Sequence, residues 1–304
     1  MMRRLWLAAQ VLVVGAIGVF VVRSIGRNWD AIRRGGAELH IDPVALAAAA
    51  GIVLATYALL IGAWRAVLLG WGEELRYPDA ARIWCLSNLA RYVPGRVWQI
   101  AGMAVLAQKA GLTPWAAAGS AIIVQLLAVA TGALVTGVAA PQAHHPLWVL
   151  VSGSVAAVAA AALAWRRGTE LFSSAATRLF GRSIVLRPVA CGPLLASACI
   201  TLLAWVAYGL ALYLCTAGLL GRFALDPLTA VGVFAGSYLA GLLAVFTPGG
   251  LGVRESLLYL WLVTPLGPAG ALAVSIGSRL LLTATEVVAA GLTFPLGARK
   301  ADAR

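Results

Sequence analysis

Apolar residues run along this chain in long blocks, and polar residues gather in the short intervals between them. Blocks long enough to cross a bilayer as helices, about 17 to 25 residues, fall near 5 to 22, 44 to 64, 115 to 139, 147 to 165, 189 to 218 and 270 to 296. Two further apolar regions, 81 to 108 and 229 to 264, are each interrupted by Pro-Gly. Hydrocarbon offers no partner to an exposed backbone N–H or C=O, so helices are the form these blocks predict. The expected fold is an all-α polytopic membrane protein, a single membrane domain over 1 to 304, with about six full spans and two Pro-Gly-broken re-entrant helical hairpins.

The two interrupted regions resemble each other. Sliding the chain along itself by 154 positions matches Pro94 with Pro248, Gly95 with Gly249, Leu106 with Leu260, Pro114 with Pro268 and Gly137 with Gly291. Over 112 to 137, nine of 26 positions are identical, more than an Ala/Leu-rich composition supplies, which predicts an internal duplication. The echo extends upstream: Tyr57 to Gly70 resembles Tyr208 to Gly221, Pro78 resembles Pro227, and Ser87-Asn88-Leu89-Ala90 resembles Ser237-Tyr238-Leu239-Ala240. The halves are expected over 1 to 140 and 141 to 304. Counting spans puts both ends of the first broken segment on one side of the membrane and both ends of the second on the other. The copies are therefore expected to have opposite topology, an architecture in which broken helices near the midplane form a binding site.

Composition agrees: 62% of residues are hydrophobic and 11% charged, with a mean hydropathy of +0.91, too apolar for one soluble core. The net charge of +12 raises nucleic acid as a partner, but the basic residues are dispersed among inter-span loops and none is expected. Arg65, Arg76, Arg82, Arg166, Arg167, Arg178, Arg182, Arg187, Arg299 and Lys300 fall on one side if both termini are cytoplasmic, the orientation that the positive-inside rule favours. Arg23, Arg27, Arg33 and Arg34 in the first outer loop run against it. The apolar start following Met1-Met2-Arg3-Arg4 lacks a small-x-small cleavage site and reads as a retained helix. Trp6, Trp64, Trp71, Trp115, Trp148 and Trp165 lie near span ends, where an aromatic belt is expected. Leu171, Phe172, Ala175, Leu179 and Phe180 have helical spacing in the loop 166 to 188, which is either a surface helix or a solvated linker. Cys85, Cys191, Cys199 and Cys215 have neither redox nor zinc spacing and read as packing residues; His40, His144 and His145 make no metal site. No cofactor is expected.

The breaks carry the candidate chemistry. Pro94-Gly95 and Pro248-Gly249-Gly250-Leu251-Gly252 end one helix and start another, and each new helix start presents unsatisfied N–H groups that attract anions. Arg91, Arg96 and Arg254 stand within a few residues of the breaks, and guanidinium matches phosphate oxygens in a bidentate fork. Close helix packing at the glycines, with the arginines reaching to the interfaces, is the alternative. Arg279 and Glu286 lie two turns apart in the last span, where burial is costly unless each is paired or faces a polar cavity. Arg254 and Glu255 are natural partners, and the repeat register sets Gln125 opposite Arg279 and Gly132 opposite Glu286. Asn88, Tyr92, Trp98 and Gln99 are placed to complete the first half-site with hydrogen bonds and an aromatic wall.

At Asn88-Leu89-Ala90-Arg91-Tyr92-Val93-Pro94-Gly95-Arg96-Val97-Trp98-Gln99 and Thr247-Pro248-Gly249-Gly250-Leu251-Gly252-Val253-Arg254-Glu255, the chain resembles the membrane domain of the lysylphosphatidylglycerol synthase family, a flippase-like group. The resemblance covers nearly the whole chain. It implies a lipid translocator in the bacterial cytoplasmic membrane, acting on a phospholipid or a polyprenyl-linked lipid, and it raises a separate lipid-modifying enzyme as a partner. The sequence carries no soluble aminoacyl-transferase domain, so the chain is not expected to make lysylphosphatidylglycerol by itself. No GxxxxGK[ST] loop is present to use ATP. Two other readings stay open. A membrane transferase acting on a polyprenyl carrier would need clustered acids, and Asp30, Glu38 and Asp42 form the one outer-loop cluster. A lipid-binding subunit of a separate synthase is the other.

Overall fold

The computed structural model describes residues 40–92, 97–139, 170–171, 173–175, 177–178, 189–244 and 248–295. Seven helices carry this part of the chain: α1 (Pro43–Leu69), α2 (Tyr77–Leu89), α3 (Val97–Lys109), α4 (Pro114–Ala139), α5 (Cys191–Leu220), α6 (Pro227–Leu243) and α7 (Val253–Thr293). The described residues include no strand, only an isolated bridge between His40 and Leu220. Four helices, α1, α4, α5 and α7, are long and apolar enough to cross a membrane, and the protein is a multi-pass membrane protein. The spans expected at 5 to 22 and 147 to 165 lie outside the described residues, as do Pro94, Gly95, Arg96, Trp6, Trp148, Trp165, His144 and His145.

Local chemistry sets the helix starts. Proline stands in the first turn of α1, α2 and α6, where a missing N–H costs nothing. The Asp42 carboxylate accepts from Val44 N at 2.9 Å and caps α1, and Asp226 does the same for α6 through Thr229 N at 2.9 Å. α7 is two limbs, because Gly267 at φ 72, ψ 168 interrupts it between Pro265 and Pro268. That break falls where the repeat register places the turn before α4, so Pro268 stands at the head of the second limb as Pro114 heads α4.

The shorter helices double back. α2 and α3, of 13 residues each, reach about 20 Å by helical rise, less than the ~30 Å of a hydrocarbon core. α3 returns along α2, with Gln99 Nε2 donating to Asn88 Oδ1 at 2.6 Å and Gly102 facing Ser87. α6 and the first limb of α7 pair likewise, Gly236 against Trp261 and Gly241 against Arg254.

Three helix pairings organise the described residues. α1 and α5 form the most extensive pair and run antiparallel, Gly218 packing on Leu46 at one end and Gly70 on Val189 and Pro193 at the other. α2 packs against α7, the turn that follows α2 adding Tyr92 with Thr283 and Glu286 of the second limb, and α6 packs against α4, through Gly236 with Thr136 and Leu239 with Gly132.

Trp64 departs from the belt expectation: it is fully buried and its indole donates to Ser120 Oγ at 2.9 Å. Its place one turn inside the end of α1 puts it against α4 rather than at the interface. Trp71 and Trp115 do sit together at helix ends, ring centroids 5.1 Å apart. Cys85 and Cys215 are buried as packing residues, whereas Cys191 and Cys199 lie on the exposed face of α5. The described residues between 170 and 178 are helical, with Leu171 70% exposed.

Candidate functional site

The tips of the two hairpins meet. Single turns at Ala90–Tyr92 and Pro248–Gly250 touch, and a Cβ placed on Gly249 would lie 3.0 Å from Arg279 Nη2, 3.6 Å from Tyr92 Cδ1 and 3.7 Å from Arg91 O. The second tip is built from glycine because the chain needs it: Gly249, Gly250 and Gly252 have φ of 56, 71 and 84, a region that penalises any Cβ. At Gly250 space adds to the requirement, since a Cβ there would stand 2.7 Å from Gly241 O. Gly250→Ala is expected to destabilise the protein by at least about 2 kcal/mol and to shift the second tip off α6. Unfolding of the purified protein in mixed micelles measures the loss, and wild-type stability would refute the packing argument.

Three arginines and two glutamates converge there among the described residues. Arg91 closes α2 and spans the gap between the halves. Its Nε donates to Asn88 O at 3.2 Å, Nη1 to Tyr238 Oη of α6 at 3.2 Å, and Nη2 meets Glu286 Oε1 of α7 at 2.9 Å. The Glu286 side chain, 5% exposed, also accepts from Tyr92 Oη at 2.8 Å, and Tyr92 Oη lies 3.2 Å from Thr283 Oγ1. Arg279 Nη1 donates to Gly249 O at 2.9 Å and to Glu255 Oε1 at 3.3 Å, with its guanidinium 5.7 Å from the centroid of the Tyr92 ring. Arg279 and Glu286 thus satisfy their burial across helices, each with a partner from a hairpin tip.

Arg254 is different. It is 3% exposed, and no described residue accepts a hydrogen bond from its Nε, Nη1 or Nη2. Glu255, its expected partner, stands 3.7 Å away and is turned toward Arg279, while the Phe234 ring lies 5.3 Å beneath the guanidinium. The other Glu255 oxygen accepts from Gly252 N at 2.8 Å. The anion expected at the start of α7 is therefore, in this conformation, the chain's own carboxylate. One guanidinium charge in the cluster is left without hydrogen-bonding compensation.

The space between the tips is small. A cavity of about 20 Å³ lies among Arg91, Tyr92, Tyr238, Arg254, Arg279 and Glu286, room for about one water. The tip cavity is too small for a lipid headgroup, because the Arg91–Glu286 pair and the Tyr92 ring occupy the space between the tips. A second enclosed space is adjacent, a chamber of about 80 Å³ that shares Arg91, Gln99 and Tyr238 with the tip cavity and extends toward Trp84, Gln125 and Tyr208, while a wider open groove of about 590 Å³ runs between Glu255, Tyr259, Pro268 and Ser275 on the two limbs of α7.

Of the expected site residues, Arg91, Tyr92, Gln99, Gly249, Arg254, Arg279 and Glu286 line the tip cavity. Gly250 packs on Gly241 behind it, Gly252 donates its N–H to Glu255, which lines the open groove along α7, and Asn88 joins the chamber. Pro248 opens the second tip. Trp98 is not brought to the cluster; it is 57% exposed. Tyr238 was missed, although the echo sets it opposite Asn88, and both line the chamber. Gly241, in register with Arg91 by the same echo, was missed as well.

Residues 6–290 match the family model described as the lysylphosphatidylglycerol synthase TM region. The chain belongs to this family. No curated protein matches the chain. Membership relates this synthase-family membrane protein to lipid synthesis or transport, and the match spans every residue of the cluster described above.

Proposed function

We propose that this lysylphosphatidylglycerol synthase-family protein is a lipid translocator, of flippase or scramblase type, that holds an anionic phosphate-bearing lipid between two inverted halves. The lipid is an anionic phospholipid or a polyprenyl-phosphate-linked glycolipid. The carrying observation is the buried Arg254 guanidinium with no described acceptor. A desolvated cation in this state calls for an anion, and Arg279 stands beside it to close the second side of a phosphate. The flippase-like family that the Arg91 and Pro248 motifs resemble sets the frame. The antiparallel α1–α5 pair and the exchangeable α2–α7 and α6–α4 packings support an inverted duplication, and the short paired helices support re-entrant hairpins that enter from opposite faces. With a tip cavity of about 20 Å³, this is a closed conformation in the reading, and lipid enters when the Arg279–Glu255 contact opens. Both termini lie in the cytoplasm in this scheme.

Reconstitution into vesicles with labelled phosphatidylglycerol tests it. The wild-type chain should move label between leaflets, and Arg254→Met or Arg279→Met should slow movement by about tenfold or more. Rates indifferent to both substitutions would remove the site from the mechanism. Turnover of a polyprenyl-linked donor by the purified protein would favour the transferase reading.

A further inference from the structure

The chamber beside the tips has a chemistry of its own. About 80 Å³ in volume, it has room for several waters by the same measure that gives the tip cavity one. Asn88, Gln99 and Gln125 bring amides to it, and Trp84, Tyr208 and Tyr238 bring ring systems. No carboxylate is among its lining residues, and its one cation is Arg91, already held by Glu286. The Trp84 indole N–H is buried and has no acceptor among the described residues. Gln125 occupies the position that the repeat register sets opposite Arg279, so the first half presents a neutral amide where the second presents a guanidinium.

Resting on the phosphate reading above, we propose that this chamber receives the part of the headgroup beyond the phosphate and selects an uncharged, hydroxyl-bearing group, a sugar or a polyol. A hydroxyl both donates and accepts, so it can pair with the Gln125 amide and, once the wall opens enough to uncover it, with the buried indole N–H, while Asn88 Oδ1 and Gln99 Nε2 already hold each other at 2.6 Å. An ammonium brings three donors and no acceptor, leaves the indole unsatisfied, and meets no carboxylate in a chamber floored by a guanidinium. Aromatic faces also attract cations, but the rings of Tyr208, Phe234 and Tyr238 are stacked on one another, with Trp205 edge-on to Tyr238, so those faces are largely spent. The division of labour follows from geometry. Arg91, Gln99 and Tyr238 border both spaces, which lets one ligand set its phosphate among the arginines and its hydroxyls among the amides.

Native mass spectrometry of the full-length protein in detergent, titrated with lipids of defined headgroup, is the test. The probes are phosphatidylglycerol, phosphatidylinositol, a decaprenyl-phosphate-linked hexose, lysylphosphatidylglycerol, phosphatidylcholine and phosphatidic acid. At least one of the first three should bind about tenfold or more tighter than each of the last three. Which one distinguishes a glycerolipid from a polyprenyl source. Gln125→Leu and Trp84→Phe should each cut that preference to about threefold or less, while thermal unfolding confirms that both variants fold. Equal or tighter binding of lysylphosphatidylglycerol or phosphatidylcholine overturns the proposal, as does a preference that both substitutions leave intact. In that event Arg254→Met still weakens every arm if the phosphate site is real. Indifference of every arm to Arg254→Met, or no binding in any arm, overturns the phosphate reading and this one with it.

Discussion

Arg91→Met should destabilise the folded protein by about 3–5 kcal/mol, and adding Glu286→Gln should return most of that loss. The single change leaves a carboxylate that is 5% exposed without its cation, a desolvated group with no counter-charge. It also removes the donor to Tyr238 Oη and to Asn88 O, losses that the second substitution does not repair, so recovery is incomplete. The amide in the double variant keeps an acceptor for Tyr92 Oη, now at 2.8 Å, and needs no counter-charge. Urea unfolding in mixed micelles, run on wild type, both single variants and the double variant, gives the coupling directly. Additive effects would mean that the bond between the first tip and the last helix does not hold the halves together.

The same pair shows where the sequence stops being informative. Both residues stand out on their own, Arg91 beside a Pro-Gly break and Glu286 within an apolar span, because each violates its local pattern. Their partnership does not: nothing between α2 and α7 encodes which carboxylate faces which guanidinium until the hairpins are packed. The nearest acid in sequence to Arg254 is Glu255, yet Arg279 holds it at the shorter distance, because one Glu255 oxygen is drawn back to Gly252 N and fixes the rotamer. Faces of almost wholly apolar helices were equally hidden. Trp98 on α3 has site residues as its sequence neighbours and lies outside the site, while Trp64 stands near a span end and is core. What could be read were the breaks and the echo. Pro and Gly act through the backbone at their own positions, so the interruption at Pro248–Gly250 and the start of α4 at Pro114 needed no tertiary context. The echo also held Tyr238 in view, at the position of Asn88, and only its different chemistry concealed it.

Arg254→Met should act in the opposite sense from Arg91→Met, raising the stability of the ligand-free protein by about 1–4 kcal/mol while removing its response to phosphate-bearing lipid. The wild-type residue has a guanidinium with three nitrogens lacking a described acceptor, at 3% exposure, and a thioether of similar length keeps the packing on Phe234 and Gly241 without the desolvated charge. Arg279 and Glu255 retain their contact at 3.3 Å, so the tip remains assembled. The fold gives this charge only a 3.7 Å approach to Glu255 and the face of the Phe234 ring, so an anion offering two oxygens would complete it. The measurement is a pair of melting curves, with and without phosphatidylglycerol in the micelle. Wild type should gain stability on adding lipid and the variant should not, its curve starting higher and staying there. A variant that melts below wild type without lipid would show that Arg254 is satisfied in the resting fold, and the phosphate site would lose its main physical support.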